Sequence, residues 1–172
     1  YQMGVMLSAT DSLNWLARIT GCKPADLTSG LGTDLQAPGP VRFLPYLSGE
    51  RTPHNDAEIR GAFTGLAAGS DRDDLTRAVL EGVAFGLRDS FEALRATGAQ
   101  LDGLIAIGGG SASSYWLRLI ATVLDVPLRR PEGGEFGAAL GAARLGMVAA
   151  TGADAGEVMT RPALGDAIDP DP

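Results

Sequence analysis

With 172 residues, 45% of them hydrophobic, the chain is long enough for one domain with a real core, and no stretch approaches the roughly 20 apolar residues of a membrane span. A formal charge of −7 argues against nucleic acid as a partner, because phosphate backbones attract basic surfaces. Cys22 is the only cysteine, so no internal disulfide can form, which suits a reducing cytoplasm.

Tyr1 to Gly4 lack the basic segment and apolar run of a signal peptide. The chain does not begin with Met, and the expectation is that it is cut from something longer. From Leu13 to Ile19 the residues Leu13, Leu16 and Ala17 recur at helical spacing, with Thr10 or Asp11 as the cap and Gly21 as the stop. Residues 21–40, rich in Gly, Pro, Thr and Asp, read as a surface connection. Val41 to Leu44 and Ala62 to Leu66 are strand candidates, separated by a polar loop. A long helix follows. Ser70, three residues before the carboxylate of Asp73, makes a capping box. Leu75, Val79, Val83, Leu87, Phe91 and Leu94 then trace one apolar stripe over about seven turns, and Gly98 closes it. Leu104 to Ile107 is a compact apolar run of the kind a buried strand needs. Gly108-Gly109-Gly110-Ser111 leads from it into a helix with Trp116, Leu117, Ile120 and Leu124 on one side. Val126 to Leu128 is another short strand. A helix of small residues spans about Glu135 to Met147, and after Gly152 the pattern fades into a tail expected to fray. Alternation of strand and helix in the second half predicts an α/β layer with at least one parallel pair.

Glycines between a strand and a helix let a ligand approach the backbone, and free N–H groups at a helix start attract an anion. Ser111, Ser113 and Ser114 add hydroxyl donors. The turn is no P-loop, since no GK[ST] follows, and no dinucleotide fingerprint, since Ser113 replaces the third glycine. A tight strand-to-helix turn without a ligand is the alternative. The loop Ser48 to Asp56 holds the only histidine. His54 has neither nucleophile nor metal partner nearby in sequence, and a polar loop held by Asx-type turns is the favoured reading. Tyr46, Tyr115 and Trp116 could stack on a ligand or belong to core and rim. Asp73, Asp74 and Glu81 could form an acidic pair or simply favour the helix dipole. No His/Cys/carboxylate cluster has metal-ligand spacing.

Several segments together resemble the FGGY carbohydrate kinase family. Gly61 to Leu66, seven residues, then Asp74 to Glu81, is similar to that family's second signature. Ile107 to Ser111 resembles its adenosine motif, and Glu135 to Ala143 its last connecting helix. Tyr46 to Asp56 and Met3 to Ala9 look most like the xylulokinase branch. Glycerol kinases differ at Tyr46 to Asp56. The resemblance covers roughly residues 1–150, leaving 151–172 as a tail. It implies an RNase H-like fold, as in actin and hexokinase: a mixed sheet with flanking helices, one of two domains facing across a cleft. It further implies ATP with Mg2+, and a sugar bound mainly by an amino-terminal domain absent here, along with the catalytic base. Gly109, Gly110 and Ser111 would lie at the phosphates or ribose, and Ser114 near the adenine. Thr10 falls where relatives have a nucleotide-contacting Gly, and Asn14 where they have Gln. The implied activity is phosphorylation of D-xylulose by the intact protein, the fragment alone being inactive. Gluconate, ribulose or glycerol as substrate, and a non-catalytic nucleotide-binding module, are the rivals. A face left without its partner domain leaves homodimerisation open.

Overall fold

The computed structural model describes residues 1–132 and 137–172. Helix α1 (Ala9–Thr20) begins earlier than expected. Ser8 is its N-cap and Gly21, at φ 68, its left-handed stop. Thr10 therefore sits inside the first turn instead of capping it. The segment read as a plain connection contains α2 (Pro24–Ser29), with Pro at its first position and Leu27 fully buried. Strands β1 (Arg42–Leu44) and β2 (Ala62–Thr64) pair antiparallel, with Phe43 opposite Phe63. Trp15 of α1 stacks on both rings, at 5.9 and 6.2 Å between centroids.

Helix α3 (Arg72–Ala96) is the spine of the core. Its capping box is one residue later than the sequence reading. Asp71 accepts from the amides of Asp73 and Asp74, and the Asp74 carboxylate accepts from Asp71 N at 3.2 Å. Ser70 instead accepts from Ala67 N at 3.0 Å, bending the chain into the helix. Val79, Leu80 and Val83 are fully buried, together with Leu16 and Leu27. Each such side chain contributes about 1.5–3 kcal/mol relative to exposure. Gly82 lets α3 press on β1, since a Cβ there would run into the Phe43 carbonyl.

The second layer is a three-stranded mixed sheet. Strand β3 (Leu104–Ile105) runs parallel to β4 (Leu128–Pro131), as the strand–helix alternation predicts, and β5 (Leu164–Ile168) runs antiparallel to β4. A 3₁₀ turn (Gly109–Ala112) and helix α4 (Ser114–Leu124) make the crossover between β3 and β4. Trp116 Nε1 donates to Leu80 O at 3.2 Å and fixes α4 to α3. Helix α5 (Gly137–Thr151) buries none of its residues; the expected helix start at Glu135 and Phe136 lies outside the described residues. Beyond it, where the sequence pattern fades and fraying was expected, come α6 (Ala155–Val158) and then β5. Strand β5 is mostly exposed, so backbone pairing to β4 orders it and no apolar alternation announces it. No described helix is long and apolar enough to cross a membrane.

Candidate functional site

The glycine turn and the start of α1 meet. Gly108 turns the chain out of β3 with φ 87, a conformation open chiefly to glycine. Gly110 then lies against α1. A Cβ there would stand 2.9 Å from Thr10 Oγ1 and 3.1 Å from Trp116 Cζ3. Gly109 is exposed, and an added Cβ would meet nothing within 4 Å. Thr10, Gly110 and Ser111 line an open cleft of about 620 Å³, walled by the apolar residues of α3, β3 and α4. Asn14 is exposed one turn beyond Thr10, on the same side of α1.

The serines divide. Ser111 is 6% exposed, and both its Oγ (2.7 Å) and its amide (3.0 Å) donate to Gly108 O. That hydroxyl ties the turn to its own first residue. Ser113 caps α4 by accepting from Trp116 N at 3.2 Å. Ser114 is exposed and lines a second, more polar cleft of about 420 Å³, with Thr28, Thr33, Arg118 and Arg130. Thr10 and Ser114 thus sit on the two sides of the turn. Arg130 was missed at the sequence level. Its Nη1 donates to Ser111 O at 3.3 Å, and no local pattern around it signals that tie.

The loop with His54 is a structural tie. Glu50, 3% exposed, accepts from Leu7 N at 3.0 Å and Arg51 N at 2.7 Å. Thr52 N donates to Val5 O, and Val5 N to Thr52 Oγ1, both at 3.0 Å. His54 Nε2 shares a 3.0 Å hydrogen bond with Tyr46 OH. Burial, then Asp89 and Glu50, pushes the Tyr46 hydroxyl above its ordinary range.

The supposed acidic pair has other work. Asp74 closes the capping box and accepts from Arg77 Nη2 at 3.2 Å, while Arg77 Nη1 donates to Gln36 at 2.6 Å. Glu81, 5% exposed, lies 3.8 Å from Arg77 Nε. Burial raises its carboxyl above the usual 4.5, against the opposing pull of Arg77 and Arg42. Burial also raises the Tyr115 hydroxyl, helped by Glu81. These groups tie the 36–42 segment to α3, away from the glycine turn.

The chain matches the carboxyl-terminal domain of the FGGY family of carbohydrate kinases over residues 4–150. It is 45% identical over 150 residues to a xylulose kinase of Escherichia coli K12, covering 86% of this chain and 31% of that protein. A crystal structure described as a xyloylose kinase from Brucella ovis superposes with TM-score 0.85 at 56% identity, covering 99% of this chain and 35% of the other. The xylulose kinase of Rhodospirillum rubrum gives TM-score 0.75 at 29% identity, over 98% of this chain and 35% of that one. The chain therefore spans about a third of the length of the relatives it matches. These neighbours are sugar kinases of the actin- and hexokinase-like, RNase H-like fold, and the mixed sheet with flanking helices is that fold here. The chain belongs to the FGGY family of carbohydrate kinases, as that family's carboxyl-terminal domain.

Proposed function

We propose that this chain is the nucleotide-side domain of an ATP-dependent kinase that phosphorylates D-xylulose to D-xylulose 5-phosphate in the cytoplasm. The observation that carries the reading is the meeting of Gly110 with Thr10, two positions distant in sequence that the family pattern assigns to the nucleotide. The similarity to xylulose kinases supplies the sugar.

The residues present fit a nucleotide. Gly110 has no room for a Cβ between Thr10 and Trp116, while Gly109 leaves the outer face of the turn open to a bulky group. The adjoining cleft has apolar walls with Thr10 among its lining residues, and Ser114 lines the more polar cleft across the turn. Thr10, Asn14, Gly109, Gly110 and Ser114 would hold ATP, and Ser111 would act by fixing the turn. ATP supplies the phosphoryl group. Among the described residues no group of three or more His, Cys, Asp or Glu could hold a metal ion. A Mg2+ ion accompanying ATP would be held chiefly by the phosphates, with one or two carboxylates and water completing its shell.

Phosphoryl transfer works mainly by positioning and electrostatics. This chain contributes the nucleotide's seat, and the base and the sugar-selecting residues belong to the domain that completes such enzymes. The test is a coupled ADP-release assay on the intact gene product with D-xylulose, D-ribulose, gluconate and glycerol. D-Xylulose should give the highest kcat/KM, and the 172-residue chain alone should not turn over. Preference for glycerol or gluconate would remove the substrate assignment. Turnover by the isolated chain would remove the division of labour.

A further inference from the structure

The group that secures the glycine turn from outside stands on β4. Arg129 pairs with Ala167 and Pro131 with Leu164, so two steps on β4 face three on β5, and Arg130 lies opposite the extra residue. Arg130 Nη1 donates to Ser111 O at 3.3 Å. Ser111 is itself held to Gly108 O by both its hydroxyl and its amide. The turn is therefore fastened at one end by its own first residue and at the other by the sheet. The same arginine lines the cleft of Ser113 and Ser114, while the carbonyl it holds belongs to a residue lining the cleft of Gly110.

We infer that Arg130 is a positioning residue for the nucleotide. By holding the Ser111 carbonyl it keeps the backbone of Gly109 and Gly110 in the conformation the ligand requires, without touching the ligand. The inference rests on the nucleotide reading given above. It separates from two simpler roles. A direct contact with a terminal phosphate would discriminate ATP from ADP, and a purely structural tie would lower stability.

The test uses the intact gene product and its R130A and R130K variants. A charge-assisted hydrogen bond of this length predicts that R130A raises KM for ATP about tenfold, at the low end for such bonds. The inhibition constant of ADP should rise by the same factor. The KM for D-xylulose and kcat should stay at wild-type values, and any fall in melting temperature should be too small to account for the loss. Arg130→Lys keeps a donor without the planar fork and should recover part of the loss. An unchanged KM for ATP overturns the inference alone. So does a loss confined to ATP, which would indicate phosphate contact, or a fall in melting temperature that accounts for the loss. Absence of any kinase activity in the wild-type protein overturns the nucleotide reading, and the inference with it.

Discussion

Replacing Gly110 with alanine puts a methyl group 2.9 Å from Thr10 Oγ1 and 3.1 Å from Trp116 Cζ3. Neither neighbour yields easily. Thr10 is β-branched and lies in the first turn of α1, where its χ1 is restricted. Trp116 is 2% exposed and anchored through Nε1 to Leu80 O. Overpacking of this kind costs about 1–3 kcal/mol. Gly110 does not have a positive φ, so the alanine also recovers about 0.4–1 kcal/mol by restricting the unfolded chain. The net loss should be about 1–2 kcal/mol, a fall of roughly 3–6 °C in melting temperature for a chain of this size. The measurement is thermal unfolding followed by circular dichroism, on G110A, T10A and the double variant. Thr10→Ala alone should be neutral or slightly stabilising, since alanine is the better helix former. In the double variant it should restore the part of the loss due to Oγ1, a coupling above about 0.5 kcal/mol. Wild-type melting of G110A, or no rescue by T10A, would refute the packing argument.

Arg77→Ala should be the most damaging surface-segment substitution. It frees Gln36 and leaves Glu81, 5% exposed, without its nearest cation, a loss of about 3 kcal/mol measurable by urea unfolding. Asp71→Ala should cost about 1 kcal/mol and S70A less than about 0.5 kcal/mol, because Asp71 is the cap of α3; the reverse order would restore the cap to Ser70. Glu81 sets a pH dependence. Its carboxyl is raised in the folded chain, so the folded state keeps the proton where the unfolded state has lost it. The stability it contributes is full below its unfolded value and is lost as pH rises through the folded one. The urea midpoint of E81Q should therefore fall less between mildly acidic and neutral pH than that of wild type; parallel pH profiles would count against this.

The stripe from Leu75 to Leu94 made α3 legible because burial on one face of a long helix forces its period on the sequence. Its exact start was not legible. Ser70 and Asp71 can both cap, and Asp73 and Asp74 both offer a carboxylate near the third position, so only hydrogen bonds separate them. Helix α2 is six residues long and carries one buried side chain, Leu27, too little for a period, although Pro24 after Lys23 marks its first turn. Strand β5 has four exposed residues of five and depends on β4 for its bonds, which leave no trace in side-chain pattern. In the site, the glycines advertise a turn. That Gly110 would face Thr10, and that Arg130 would hold Ser111, are tertiary facts carried by no local motif. His54, the residue a search for catalysts picks first, proves to be half of a pair with Tyr46.

The sheet order β3-β4-β5 has a consequence for synthesis. Chains are made amino end first, so β4 is exposed to its surroundings before β5 exists to cover it. During that interval one edge of β4 presents unpaired amides and carbonyls, a template on which another nascent chain could add a strand. The two consecutive arginines there, Arg129 and Arg130, are both exposed, and charge on an open edge is the common guard against such capture. A ribosome stalled between Pro131 and Leu164 would leave that guard as the strand's main protection, so the same side chains that serve the finished domain would also keep its unfinished form apart from its neighbours.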